Sequence, residues 1–267
     1  MDLKYVKYEK RGHIAWVTIN RPEVRNALHV LAHHEMFKVW EDFDSDPNLR
    51  VAIITGAGEK AFSAGNDLKF STELALSGER PPLPPLGGFG GFTNPRFKLW
   101  KPVIAAVNGF ALGGGFELAL ACDIIIAADH AEFGLPEPRV GLTAGAGGMH
   151  RLPRQVPMKV AMGMMLTGKR LSAQDAYRLG LANEVVPLAD LLATAERWAN
   201  EVMECAPMSV RGSKQAATTG LDLPLEAAMN NSYFWVDRQV NSPDRLEGMR
   251  AFVEKRSPQW MGEEGLN

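Results

Sequence analysis

Val103-Ile-Ala-Ala-Val107 is followed by Asn108-Gly-Phe-Ala-Leu112, the triplet Gly113-Gly-Gly115 and the run Phe116-Glu-Leu-Ala-Leu-Ala-Cys122. The first five residues are apolar and end at Asn108 and Gly109, the pattern of a strand buried on both faces. Three glycines in a row at a helix entrance leave backbone N–H groups uncovered and let a ligand approach the chain closely. The helix that follows adds a positive end, which favours negative charge developing on an oxygen. Glu117 lies in its first turn. Asp123-Ile-Ile-Ile-Ala-Ala128 predicts a further strand, and Phe133-Gly-Leu-Pro-Glu137 brings a second carboxylate after a short strand and a proline that fixes the backbone direction. Two carboxylates beside one oxyanion site suit acid–base work on the carbon next to a carbonyl. Each part also has a plainer reading, a loop for the glycines and a dipole partner for Glu117, and spacing alone does not separate the two.

Outward from this stretch the chain reads as α/β. Ile14-Ala-Trp-Val-Thr-Ile19 and Val51-Ala-Ile-Ile-Thr55 predict strands. Between them Leu28, Leu31, Met36, Val39, Trp40 and Phe43 fall on one stripe of a helix over residues 27–43. Strand, helix, strand implies parallel pairing with right-handed crossovers. Residues 77–95 carry five prolines and five glycines, so they predict a long surface loop, one that Phe89 and Phe92 could make a lid. From residue 157 the chain turns mostly helical. Ser172-Ala-Gln-Asp175 is a helix-starting cap with Gly180 closing it, and helices are expected over 188–205, 208–218, 225–240 and 243–255. The division expected is an α/β core over 1–205 and a helical region over 206–267.

The chain has 267 residues with a net charge of -2, 46% hydrophobic and 22% charged residues, which excludes a mainly disordered chain and offers no basic stripe for nucleic acid. Cys122 and Cys205 are its two cysteines, too few to staple this length, so a reducing compartment is expected. Residues 1–9 show neither a signal-peptide core nor transit-peptide character, and the expectation is cytoplasmic. The most apolar stretch, 103–128, would bury Glu117 and Asp123 in a bilayer, so no membrane span is expected.

Three weaker motifs have bland readings. Gly56-Ala-Gly-Glu-Lys-Ala61 matches a dinucleotide-binding pattern but meets Gly65 before any helix can run, which predicts a turn. Ser63 sits one glycine short of a nucleophile elbow, and nothing ties His150 to it. His29 and His33 are spaced to share a metal, but with no third ligand evident an exposed helix face is expected, and Cys122 reads as inert core.

The residues resemble the enoyl-CoA hydratase/isomerase (crotonase) superfamily. The resemblance rests on 103–119, on Ala61-Phe-Ser-Ala-Gly-Asn-Asp-Leu-Lys69, Phe133–Glu137, Gly145-Ala-Gly-Gly148, Leu166-Thr-Gly-Lys-Arg-Leu171, Asn20-Arg-Pro-Glu-Val-Arg-Asn-Ala-Leu28 and Gly248-Met-Arg-Ala-Phe-Val-Glu-Lys-Arg256. It covers nearly the whole chain in order. It implies a spiral of ββα repeats with a C-terminal helical trimerisation region, assembling as a homotrimer or a dimer of trimers. It implies an acyl-CoA thioester substrate and no metal or redox cofactor, coenzyme A being part of the substrate. The oxyanion hole would be the backbone N–H groups of Asn66 and Gly114. Glu117 would activate the water and Glu137 deliver the proton to Cα. Coenzyme A and acyl contacts would fall at Arg25, Ala27, Ala64, Asp67 and Leu68.

Asn66 stands where many relatives have Ala, His150 where Gln is usual, and Pro258-Gln-Trp-Met261 departs from the basic end of the family. The stretch 81–95 is similar to that of crotonobetainyl-CoA hydratases (carnitinyl-CoA dehydratases). The reading is therefore an enoyl-CoA hydratase, with crotonobetainyl-CoA hydratase as the alternative. An isomerase, which needs one carboxylate, a dinucleotide-dependent oxidoreductase and a catalytically dead CoA-binding protein rank lower. Met229, Tyr233, Phe234, Trp235, Val236, Met249, Phe252 and Val253 are more apolar bulk than four exposed helices justify and predict an assembly surface.

Overall fold

The computed structural model describes residues 1–80 and 82–262. Pro81 of the predicted loop and the last five residues of the predicted helical region lie outside the described residues. The chain opens with β1 (Val6–Arg11) and β2 (Ile14–Ile19), an antiparallel hairpin turning at Gly12, whose φ of 56° suits a residue without Cβ. α1 (Val30–Ser45) follows, shorter at its start than the apolar stripe predicts, because the His29 Nδ1 accepts the Ala32 N–H and caps it there.

The chain then repeats one unit: a long strand, a three-residue strand, a helix or turn. The units are β3 (Val51–Gly56), β4 (Ala61–Ser63) and α2 (Leu68–Ser77); then β5 (Val103–Val107), β6 (Phe110–Leu112) and α3 (Gly114–Ala121); then β7 (Ile124–Ala128), β8 (Glu132–Gly134) and the 3-10 turn Glu137–Val140. After α4 (Gly148–Gln155) and α5 (Met158–Thr167) come β9 (Arg170–Ser172), α6 (Ala173–Arg178) and β10 (Glu184–Val186). Helices α7 (Leu191–Met203), α8 (Pro207–Gly220), α9 (Leu225–Asn230), α10 (Phe234–Val240) and α11 (Pro243–Glu254) complete it.

The long strands form one sheet, β1-β2-β3-β5-β7-β10, parallel from β2 onward, with Ile14 opposite Val51, Ala52 opposite Val103 and Ile104 opposite Ile124. The short strands form a second, β4-β6-β8-β9, parallel across its first three members. This is the spiral of ββα repeats that the resemblance implies. Every residue of β3 and β5 is buried, as strands covered on both faces must be, and Trp40, Phe43, Phe116 and Phe133 fill the core beside them. Lys101 is buried too, its Nζ donating to the carbonyls of Phe43 (2.7 Å) and Asp46 (2.6 Å), so the amine satisfies the open C-terminal end of α1.

Three expectations change. The loop after α2 is exposed over residues 78–80 and 82–84, as the sequence predicts, but its second half is no lid and packs into the body through Phe89 and Phe92. The Trp40 Nε1 donates to the Gly90 carbonyl (2.8 Å), the Gly90 N–H donates to the His33 Nδ1 (3.2 Å), and the Phe92 ring packs 4.7 Å from Trp40. A Cβ on Gly91 would lie 2.6 Å from the Phe37 nitrogen, so only glycine lets the loop lie this close to α1. Second, His29 and His33 are buried, not on an exposed face: their rings meet Phe70 and Phe89 at 4.6 and 4.5 Å. Third, the helix expected over 225–240 breaks at Asn231, where the backbone extends, and the Tyr233 hydroxyl donates back to the Ala228 carbonyl (2.8 Å) across the break. Helices α8 to α11 pack most heavily on one another. Among the described residues no helix is long and apolar enough to cross a membrane.

Candidate active site

All three ββα units run into the same corner, because β4, β6 and β8 are parallel and end side by side. Ser63-Ala-Gly65-Asn66 leaves β4, Gly113–Gly115 leaves β6, and Leu135-Pro-Glu137 leaves β8. Glycine is required where they touch. A Cβ on Gly115 would lie 2.1 Å from the Ser63 carbonyl oxygen; one on Gly65, at φ 91°, would lie 2.7 Å from the Leu112 oxygen and 3.0 Å from the Gly114 nitrogen. The Gly114 N–H and the peptide of Gly65–Asn66 therefore stand together. Gly114 is the first residue of α3, where an N–H has no helical acceptor. Asn66 bridges Leu28, but the bonds of that bridge run from Leu28 to Gly65 and from Asp67 to Leu28. Among the described residues neither the Asn66 nor the Gly114 N–H donates a hydrogen bond. Two free N–H groups in contact segments supply the donor chemistry that an anion-accepting pair requires.

Glu117 is 3% exposed. Its Oε1 accepts the Gly148 N–H at 2.8 Å, and the Ala146 N–H also stabilises it. A Cβ on Gly148 would come within 3.0 Å of Glu117 Cγ, so glycine there admits the side chain. Burial above all, with the nearby Glu137, pushes the Glu117 carboxyl up to about 7, although the Gly148 N–H and Arg151 pull the other way. Glu137 opens its 3-10 turn. Its Oε1 lies 3.0 Å from where a Cβ on Gly113 would be, and its Oε2 is buried with no hydrogen-bond partner. Burial pushes this carboxyl up as well. Two protonatable carboxyls thus flank two free N–H donors, one anchored and one with an oxygen left bare.

The other residues named from the sequence divide. The Asn66 amide donates to the Ser71 Oγ (3.2 Å), so it turns toward α2. Asp67 spends its carboxylate locally: it accepts the Phe70 N–H (3.1 Å) as the α2 cap and pairs with Arg21 (2.9 Å). Burial pushes that carboxyl up, but those two partners outweigh it and hold it below the usual range. Ala64 donates its N–H to the Arg25 carbonyl, and Leu68 is exposed on α2. Ala27 is buried. Arg25 and Asn26 both take positive φ, 55° and 56°, held by the buried Asn26 amide bonding to Ala57 and Ala61. Arg25 lines a cavity of about 390 Å³ with Glu59, Lys60, Phe110, His130 and Leu188. That cavity lies at the starts of β4, β6 and β8, the opposite ends from the carboxyls.

The weak motifs resolve structurally. Residues 57–60 turn directly into β4 with no helix, which removes the dinucleotide reading. Ser63 is buried, donating to the Asn26 carbonyl (2.8 Å). The Nδ1 atoms of His29 and His33 each accept a backbone N–H. Cys122 is buried with its Sγ against the Leu118 carbonyl, and burial pushes its thiol up. The sequence marks Phe89 only as something for the loop to pack with, and does not show that its ring carbons lie 2.5–2.8 Å from where a Cβ on Gly114 would be, nor that Arg151 stands beside Glu117.

Comparison with known proteins identifies the family. The model of the enoyl-CoA hydratase/isomerase family matches residues 9–263. The (E)-benzylidenesuccinyl-CoA hydratase of Thauera aromatica is 43% identical over 96% of this chain and 99% of its own. The carnitinyl-CoA dehydratase of Proteus mirabilis is 44% identical over 94% and 96%. The crystal structure of an enoyl-CoA hydratase from Mycobacterium tuberculosis H37Rv superposes with a TM-score of 0.88 at 37% identity, covering 97% and 99%. With a family match over nearly its whole length, the chain belongs to the enoyl-CoA hydratase/isomerase family, on its hydro-lyase side.

Proposed function

We propose that the two free N–H groups and the two carboxyls add water reversibly across the double bond of a 2-enoyl-CoA thioester. The thioester oxygen accepts from the Asn66 and Gly114 N–H groups, which draws electrons from Cβ. Ionised Glu117 takes a proton from water as the hydroxyl bonds to Cβ. Protonated Glu137 gives its proton to Cα, and the enolate-like charge in between rests on the oxyanion pair. The route calls on no metal, because the N–H pair does the work of a Lewis acid. The observation that carries the reading is the Glu137 carboxyl, whose Oε2 is buried without a partner and whose Oε1 lies against Gly113, next in the chain to the unpaired Gly114 N–H. Coenzyme A would run over the backbone of Ala64 to Leu68 and past Ala27 toward Arg25, with the Asp67 side chain excluded because Arg21 holds it. A spectrophotometric screen for loss of the conjugated thioester, using crotonyl-, tiglyl-, cinnamoyl- and crotonobetainyl-CoA, tests this. Hydration of at least one is expected; shift of a 3-enoyl double bond with no hydration of any would overturn it.

A second reading, crotonobetainyl-CoA as the substrate, is supported by Phe89. Its ring lies against Gly114, and a ring face attracts a trimethylammonium group. A higher kcat/KM on crotonobetainyl- than on crotonyl-CoA would select it.

We also propose a homotrimer or dimer of trimers working in the cytoplasm. The support is α11, where Leu246, Met249, Phe252 and Val253 are 55–86% exposed, together with Met229 and Phe234; Tyr233 is buried within the chain and drops out of that surface. Cys122 and Cys205 are both unpaired, as in a reducing compartment. Light scattering should give a trimer or hexamer, and a monomer at micromolar concentration would contradict it.

A further inference from the structure

Arg151 on α4 ties together two segments that reach the site from different sides. Its Nη2 donates to the Thr93 carbonyl (2.8 Å) and its Nη1 to the Ala146 carbonyl (3.2 Å). Thr93 is buried, and its hydroxyl donates to the Phe89 carbonyl (2.8 Å), closing the turn that lays the Phe89 ring on Gly114. Ala146 and Gly148 turn their N–H groups to Glu117. The guanidinium lies so close over Gly147, at φ 114°, that a Cβ there would sit 2.0 Å from Nη1. A lysine has one ammonium and cannot span both carbonyls in the planar way a guanidinium does.

We infer that Arg151 is a positioning residue for the hydration, a strut that fixes the Phe89 turn against the Ala146–Gly148 segment and so holds Glu117 in place. This rests on the reading of Glu117 as the group that activates water. The strut also carries charge. Glu137, from the turn after β8, and Arg151, from α4, are the charges that face Glu117, and they pull its protonation in opposite directions. Removing the cation leaves burial and Glu137 unopposed, so Glu117 holds its proton to higher pH.

Arg151→Gln and Arg151→Lys, assayed for hydration across the acid and neutral range, separate these effects. Arg151→Gln should lower kcat by up to about a hundredfold with KM little changed, as expected of a misplaced catalytic group, and move the acid limb of the kcat profile to higher pH. Arg151→Lys should return the limb toward wild type while recovering only part of kcat. A Gln variant with wild-type kcat, or one whose loss comes with an unmoved limb, overturns the inference. If Arg151→Gln does not fold, the Lys variant decides alone: reduced kcat with an unmoved limb supports the strut, and unchanged kcat overturns it. Glu117→Gln serves as the reference. Full hydration there sinks the reading of Glu117, whereas a dead Glu117→Gln beside an unaffected Arg151→Gln sinks only the strut.

Discussion

Glu117 and Glu137 are the same residue type at one corner of the fold, yet they are held in opposite ways. Glu117 sits in a buried helical turn with an N–H bonded to its Oε1; Glu137 sits on a 3-10 turn with a buried Oε2 that bonds to nothing. An anchored carboxylate can present its free lone pairs to a water in one orientation. A bare one can meet a carbon acid, which offers no hydrogen bond before the proton moves. That difference in support fits the division of labour proposed above, in which Glu117 handles water and Glu137 handles Cα.

The largest effect should come from removing either basic group. Glu117→Gln and Glu137→Gln keep the shape and should each lower hydration by about 10²–10⁴. The double variant should be little worse than the worse single, because the two act as one unit. Steady-state rates on the best substrate of the screen check both, with acyl-CoA binding retained in each.

Next in size is a change to the anchor alone. The Cβ of Gly148→Ala would meet Ala144 Cβ at 2.9 Å and Glu117 Oε1 at 3.1 Å, so Glu117 must shift. A loss of roughly ten- to a hundredfold in kcat is expected for such a displacement. A wild-type rate would mean that the anchor does not matter to the water step.

A third effect concerns stability. The Glu117 carboxyl is raised to about 7 in the fold, so the folded chain holds its proton more tightly than the unfolded chain does. That contribution is complete below the unfolded carboxyl range and is lost as pH rises through about 7. Glu117→Gln removes the loss, and should gain about 1–3 kcal/mol over wild type above neutral pH, shrinking toward zero in mild acid. Thermal melts at the two pH values check the sign. A gain in acid with none above neutrality would reverse the account of its burial.

The smallest effect is expected at Asn66. Its proposed part in the chemistry is a backbone N–H, and its amide bonds to Ser71. Asn66→Ala should alter the preference among acyl groups while keeping turnover on at least one, measured by the same screen. Loss of hydration on every substrate, with the fold intact, would bring the side chain into the chemistry.

What the sequence makes legible follows from the length scale of each signal. β2, β3, β5 and β7 are continuous apolar runs and stand out. β4, β6, β8 and β9 are three residues each, too short for any period, and their partners lie far along the chain, as Phe110 opposite Glu132 does. β1 alternates charged residues along a sheet edge and reads as no strand at all. Asn66 as a donor and the roles of the two carboxyls were implied by the family resemblance alone, while the Gly113–Gly115 turn, Glu117 and Glu137 were readable in the residues themselves, because glycines mark close backbone approach. The contacts of Phe89 and Arg151 were not, since the one touches a glycine across the fold and the other bonds only to carbonyls, which leave no mark in side-chain spacing. His29 and His33 misled for the opposite reason: polar side chains on a helix suggest solvent, whereas here Phe70 and Phe89 cover them.

The division of labour is tested most directly by exchange of the Cα proton of a saturated acyl-CoA with deuterated water, which needs the carbon-acid step and no water addition. Glu117→Gln should retain exchange while losing hydration, and Glu137→Gln should lose both. Near wild-type hydration in Glu117→Gln, or exchange that survives in Glu137→Gln, would contradict the account.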